Sequence, residues 1–216
     1  MPFREINSRV VEAEIRPGRI VFSQRGAMLA YRGEVSFTPN LQGGQGGLAS
    51  MIGRRIAGED TPLMTVEGDG TVMFGHGGHH VSVIEPAGNT LYVEADRLLA
   101  FEGTLRQGTV FLGAQGGVMG MVRGQVTGQG LFTTTLQGHG SVAVMAHGGL
   151  LELPITPDRP VHVDPQAYVA HRGDVRNSLS TALGWRDMVG RGSGEAFQLE
   201  LSGSGTVYVQ ASEEKL

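Results

Sequence analysis

Hydrophobic and polar residues alternate over short stretches through most of the chain. Val11, Ala13 and Ile15 are separated by Glu12 and Glu14, the period of two that gives a strand one buried face and one solvated face. Val81 with Val83, Leu199 with Leu201, and Val207 with Val209 repeat it. Turn-forming residues stand between such runs: Pro17-Gly18, Pro86-Ala87-Gly88-Asn89 and Pro157-Asp158. Proline fixes φ and glycine permits a positive one, so each group ends a strand. The pattern predicts three equivalent hairpins in an all-β protein.

The chain also resembles itself, which matters more than any one strand. Thr65–Phe74 reads TVEGDGTVMF, Thr135–Val144 reads TLQGHGSVAV, and Glu200–Val209 reads ELSGSGTVYV. A second block occurs as MLAYRGEV from Met28, LLAFEGTL from Leu98 and YVAHRGDV from Tyr168. Gly33, Gly103 and Gly173 are in register, as are Ala30, Ala100 and Ala170. The second blocks fall near 18–38, 90–108 and 160–176, and the first blocks near 58–84, 128–155 and 194–213. Residues 1–216 thus form one compact domain of three internal repeats of about 70 residues. The order begins with a second block and ends with a first block. It predicts three fused β-sandwich units closed about a pseudo-threefold axis, with the termini meeting, because a solenoid would need polar caps. Gly68, Gly70, Gly138, Gly140, Gly203 and Gly205 are expected at tight turns or close backbone approaches.

Three glycine-rich connectors link the blocks, running LQGGQGGLASMIGRRIAG, LGAQGGVMGMVRGQVTG and LSTALGWRDMVGRGSG. Loops of this length tend to serve a function, and a threefold relation gathers them at one end. Met51, Ile52, Met119, Met121, Trp185 and Met188 are therefore the candidate binding residues, since methionine adapts to varied partners. Arg54, Arg55, Arg123, Arg186 and Arg191 add positive charge there, which also suits peripheral contact with an anionic membrane surface.

Composition narrows the chemistry. The 35 glycines in 216 residues disfavour helices, because each interior glycine costs a helix roughly 1 kcal/mol relative to alanine. With no cysteine, disulfides, thiolate nucleophiles and thiolate metal sites are excluded. A net charge of -4 lacks the positive excess that nucleic-acid binding draws on. No apolar run reaches signal-peptide or membrane-span length, so a cytoplasmic protein is expected. Catalytic templates such as Gly-x-Ser-x-Gly and His-Glu-x-x-His are absent. His76, His79 and His80 cluster in GHGGHH, but the third repeat has no histidine in the corresponding loop, and they are expected as exposed turn residues. Glu34 and Asp174, with Thr104, share one repeat position; Glu59 and Glu195, with Gln129, share another. These are expected at a solvated surface. No catalytic residue, metal or cofactor is expected.

Three stretches point to a family: GSGEAFQLELSGSGTVYVQASE, GHGSVAVMAHGGLLELPI followed by VHVDPQAYVAHRGDV, and RRIAGEDTPLMTVEGDGTVMFG. From Val10 to Glu213 they make the chain similar to the altered-inheritance-of-mitochondria family of bacterial and mitochondrial proteins. The resemblance implies a fold like that of the tryptophan RNA-binding attenuator protein, with three such units fused. It implies no catalytic residues. Fungal mitochondrial relatives are associated with the inner membrane, whereas this chain reads as a bacterial member. Fold likeness to an RNA-binding ring does not transfer RNA binding.

The expected function is a non-enzymatic scaffold or interaction module that engages a protein partner or itself. The alternative is a small-ligand-binding protein with sites between β units. A hydrolase or metalloenzyme is disfavoured, because no nucleophile has a recognisable base and orienting group.

Overall fold

The computed structural model describes residues 2–40, 63–112, 131–180 and 198–213. These are built almost wholly of strands. In chain order they are β1 (Phe3–Asn7), β2 (Val10–Ile15), β3 (Val21–Gln24), β4 (Met28–Pro39), β5 (Leu63–Phe74), β6 (His80–Ile84), β7 (Thr90–Glu94), β8 (Leu98–Glu102) and β9 (Arg106–Leu112). Then follow β10 (Leu131–Gln137), β11 (Val142–Ala146), β12 (Leu150–Ile155), β13 (Val161–Val163), β14 (Tyr168–Ser180) and β15 (Gln198–Gln210). A single 3-10 turn, Ala95–Arg97, joins β7 to β8.

The strands form two antiparallel sheets. One has eight strands in the order β1-β2-β5-β3-β8-β11-β6, with β4 also on β5; the other has seven in the order β12-β15-β14-β7-β10-β9, with β13 also on β15. The first sheet curls until its ends approach, for the Val81 amide donates to the Ser8 carbonyl at 2.9 Å and the Val83 amide to Glu5 Oε1 at 3.0 Å. Alternation is visible in β2, where Val11, Ala13 and Ile15 are buried and Glu14 is exposed. At the end of β15, Val207, Tyr208 and Val209 are all buried, because this segment lies inside its sheet between β12 and β14 and is covered on both faces.

Each second block pairs with the first block that follows it. β4 pairs with β5, β8 with β11 and β9 with β10, and β14 with β15. No block is left without a partner, so the termini need not meet to complete a unit.

The expected hairpins take a different form. All three turns are present: the Arg19 amide donates to Arg16, Asn89 to Pro86 and Arg159 to Thr156. The strands on either side do not pair with each other. β2 and β3 both lie antiparallel to β5, and β12 and β13 both lie antiparallel to β15. They are two stretches of one edge, running in the same direction, with the turn looping out between them. A twelve-residue β5 offers more edge than one short strand covers, and the turn falls where β5 bends.

Glycine makes the bend. Gly68 has φ 132°, and a Cβ there would land on the Glu34 carbonyl oxygen of the paired strand. A Cβ on Gly70 would land on the Arg32 carbonyl oxygen. Two backbones thus cross at a distance that only glycine allows. Gly203 (φ 115°) and Gly205 do the same in β15. These glycines were expected between short strands, yet in β5 and β15 they sit inside one long strand. In the middle repeat the corresponding bends, at Gly103 and at Gly138 to Gly140, divide each strand in two. Its halves enter different sheets, β8 and β11 in the first and β9 and β10 in the second.

Gly68→Ala adds both a clash and an unfavourable φ, and is expected to cost roughly 1–3 kcal/mol. Gly18→Ala, in a turn with open space around it, is expected to cost less, about 1 kcal/mol. Urea unfolding of both variants checks this, and equal losses would remove the bend from its proposed place in the fold.

Candidate functional site

The six connector residues expected to bind a partner, Met51, Ile52, Met119, Met121, Trp185 and Met188, lie outside the described residues, as do Glu59, Gln129 and Glu195. Glu34 and Asp174 are exposed at the strand bends, and Thr104 Oγ1 donates to the His139 carbonyl at 2.9 Å.

Of the GHGGHH histidines, His76 is exposed and His79 and His80 are half-buried. His79 packs edge-on against His147, with ring centroids 4.4 Å apart. Its pKa is lowered by burial and then by the neighbouring His147, Arg97 and His76. Among the described residues no group of three or more His, Asp or Glu is placed to hold a metal ion.

Two strand joints link successive repeats. In the first, β3 pairs with β8 and Phe22 stands opposite Phe101, their rings tilted with centroids 5.2 Å apart. In the second, β7 pairs with β14 and Tyr92 stands opposite His171, their rings stacked at 4.5 Å. Phe22 and Tyr92, and likewise Phe101 and His171, are 70 residues apart. The same joint is therefore apolar in one place and polar in the other.

The polar joint is fully enclosed. His171 and Tyr168 are buried, and Tyr168 Oη lies 2.7 Å from His171 Nδ1 while donating to the Tyr92 carbonyl at 3.3 Å. A hydroxyl has one proton, so these contacts are all satisfied when His171 carries its proton on Nδ1. His171 Nε2 is then a buried acceptor without a partner, and Thr133 Oγ1 is also buried and unpartnered. Nearby, the buried Arg97 pairs with Glu94 at 3.5 Å and donates Nη2 to the Gln166 carbonyl at 3.3 Å. The Gln166 carbonyl also accepts from Gln210 Nε2 at 3.1 Å. Burial lowers the Arg97 pKa against the pull of Glu94 and Asp96, and burial lowers that of His171 to about 4.

At the start of β4 lies the largest anomaly. Met28, Leu29 and Tyr31 are 40%, 54% and 50% exposed. Their counterparts Leu98, Leu99 and Phe101 in β8, and Tyr168, Val169 and His171 in β14, are at most 3% exposed. Leu151 and Leu153 on β12 are also exposed. β3 lies along β8 and β7 along β14, but among the described residues no strand other than β5 lies along β4, and none other than β15 along β13. The strand joint that closure about a threefold axis calls for is not formed. Sequence reasoning placed the binding surface on the connectors and missed this edge. The available signal was the run of four apolar residues in MLAY, which marks a strand covered on both faces.

Bent antiparallel strand pairs joined edge to edge define an all-β protein of repeated sheet segments. The chain belongs to the mitochondrial biogenesis AIM24 family, whose model matches residues 3–212. The crystal structure of protein SPYM3_0169 from Streptococcus pyogenes is similar to it in fold, with a TM-score of 0.72, 19% identity, and 97% of this chain and 92% of that one covered. No curated protein matches the chain. Among the described residues no helix is long and apolar enough to cross a membrane.

The His171 environment sets a pH dependence. Its folded pKa of about 4 lies below the ordinary 6.5, so between those values the unfolded chain binds the proton more readily. Stability is expected to be full above pH 6.5 and to fall as pH drops toward 4, by on the order of 3 kcal/mol. His171→Phe, which copies Phe101, should flatten this part of the profile in urea titrations at pH 7.5 and pH 5. An unchanged slope would mean that His171 is not its source.

Proposed function

We propose that this AIM24-family chain is a non-enzymatic scaffold or interaction protein made of three fused units of about 70 residues. The three-unit reading is supported by a recurring scheme in which β2, β6 and β12 lie along the second half of a bent strand, and β3, β7 and β13 along the first half. The interaction reading rests on one observation: Met28, Leu29 and Tyr31 are exposed where their counterparts are buried. A strand edge with apolar residues on both faces is a template for pairing. The apolar connectors extend the same tendency, and the partner is a protein surface.

Changing Leu29 and Tyr31 together to Glu is expected to leave the unfolding midpoint nearly unchanged and to abolish association. A companion variant with polar residues at Met51, Met119 and Trp185 reports on the connectors. Native mass spectrometry and pull-down of gently purified protein read both. Unchanged association in both variants would sink the interaction reading.

A second reading, a small-ligand site between units, is favoured by the unpartnered His171 Nε2 and Thr133 Oγ1 at the polar joint. A ligand present at 100 times its Kd should add about 2.7 kcal/mol of stability. A thermal-shift screen of amino acids and nucleotides tests it, and a flat result counts against those ligands.

A further inference from the structure

The two joints inside the chain specify what a third would look like. Phe22 meets Phe101, and Tyr92 meets His171. One repeat further on, the position of Phe22 and Tyr92 is His162 in β13; one repeat back, the position of Phe101 and His171 is Tyr31 in β4. Both are exposed. The flanking positions agree as well: Leu91 stands opposite Arg172 and Val93 opposite Ala170, so Val161 belongs opposite Arg32 and Val163 opposite Ala30. Arg172 further donates Nη1 to the Glu85 carbonyl at 2.8 Å, which by the same offset gives Arg32 the Ile155 carbonyl.

We propose, on the basis of the interaction reading above, that the β4 edge of one copy receives β13 of a second copy of this chain, head to tail. Tyr31 of one copy then meets His162 of the next. The occupant is a second copy because both halves of the joint exist in every chain and neither is filled within it. β13 lies along β15 and leaves β4 bare. The surface is continuous with two joints already formed by the same residue pattern. Neither half is blunted, since the only proline in β4 is its last residue, Pro39, and β13 is Val-His-Val. The two halves differ, so the contact is heterologous and builds a ring or an open row rather than a two-fold dimer.

The test uses two single variants of the full chain, Tyr31→Glu on β4 and His162→Glu on β13, read by native mass spectrometry and analytical ultracentrifugation. The wild type is expected to assemble beyond a monomer. Each variant alone is expected to be monomeric with an unchanged melting curve, because each lacks one half of the joint. Mixed in equal amounts they should form a one-to-one heterodimer and nothing larger, since one good β4 edge then meets one good β13. Assembly of either variant alone, or a mixture that stays monomeric, would overturn the proposal. So would a monomeric wild type whose β4 amides resist hydrogen exchange, the sign of closure within one chain. A monomeric wild type that binds a different protein, lost on changing Leu29 and Tyr31, overturns head-to-tail pairing while the interaction reading stands. Absence of any association removes both.

Discussion

Two backbones pass within side-chain distance of each other at Gly33 and Gly70, and again at Gly173 and Gly205. Nearly everything else in the architecture depends on that approach. Any Cβ at these places meets a carbonyl oxygen or an α-carbon of the opposite strand. Without side chains the ribbon bends, and one strand can serve two neighbours. The first half of β5 then lies against β3 and the second half against β2. In the middle repeat the bend carries the chain from one sheet to the other, and this holds the two sheets together as one body. The cores follow from it: one apolar cluster gathers Phe3, Val11 and Phe74, another Leu91, Leu136 and Tyr208, and a third Ile155, Leu199 and Val207.

Local features of this fold were legible in the sequence. The alternation in β2, the glycine pairs and the three turns are set by residues close together in the chain, and they occur where the pattern places them. Strand neighbours were not legible. Pro17-Gly18 reads as a hairpin because a turn between two strands is the same local signal whether they pair with each other or with a third. The run MLAY reads like LLAF and YVAH, for burial is decided by what lies alongside, and nothing within the run reports that its neighbour is missing. His171 looked like one more position of a repeated block. Its meaning emerges only opposite Tyr92, a residue 79 positions earlier. The connector residues singled out for binding fall outside the described segments, so the edge of β4 carries the site that the structure itself displays.

The contrast between the joints has a physical content of its own. Phe22 and Phe101 need only to exclude water, whereas Tyr92, Tyr168 and His171 must also match donors to acceptors in a dry setting, where an unmet polar group costs about 1–3 kcal/mol. A satisfied network of this kind fixes geometry more narrowly than apolar packing does. The second joint is therefore the more exacting of the two. The Arg97 and Gln210 side chains, both donating to the Gln166 carbonyl, reinforce it by tying the turn before β8 to the loop before β14.

The distance along the chain between paired strands bears on how the protein is made. Val21 in β3 pairs with Glu102, so that edge has no neighbour until about 80 more residues have left the ribosome. Leu91 in β7 waits as long for Arg172. Pairings between remote segments are slow to form because the intervening chain must first be ordered, and an open strand edge is exposed to wrong partners in the meantime. Synthesis adds the repeats in order, and each new second block caps the edge left by the repeat before it. The growing protein thus carries one unfinished edge that moves forward as the chain lengthens, and the finished molecule keeps the last of them on β13.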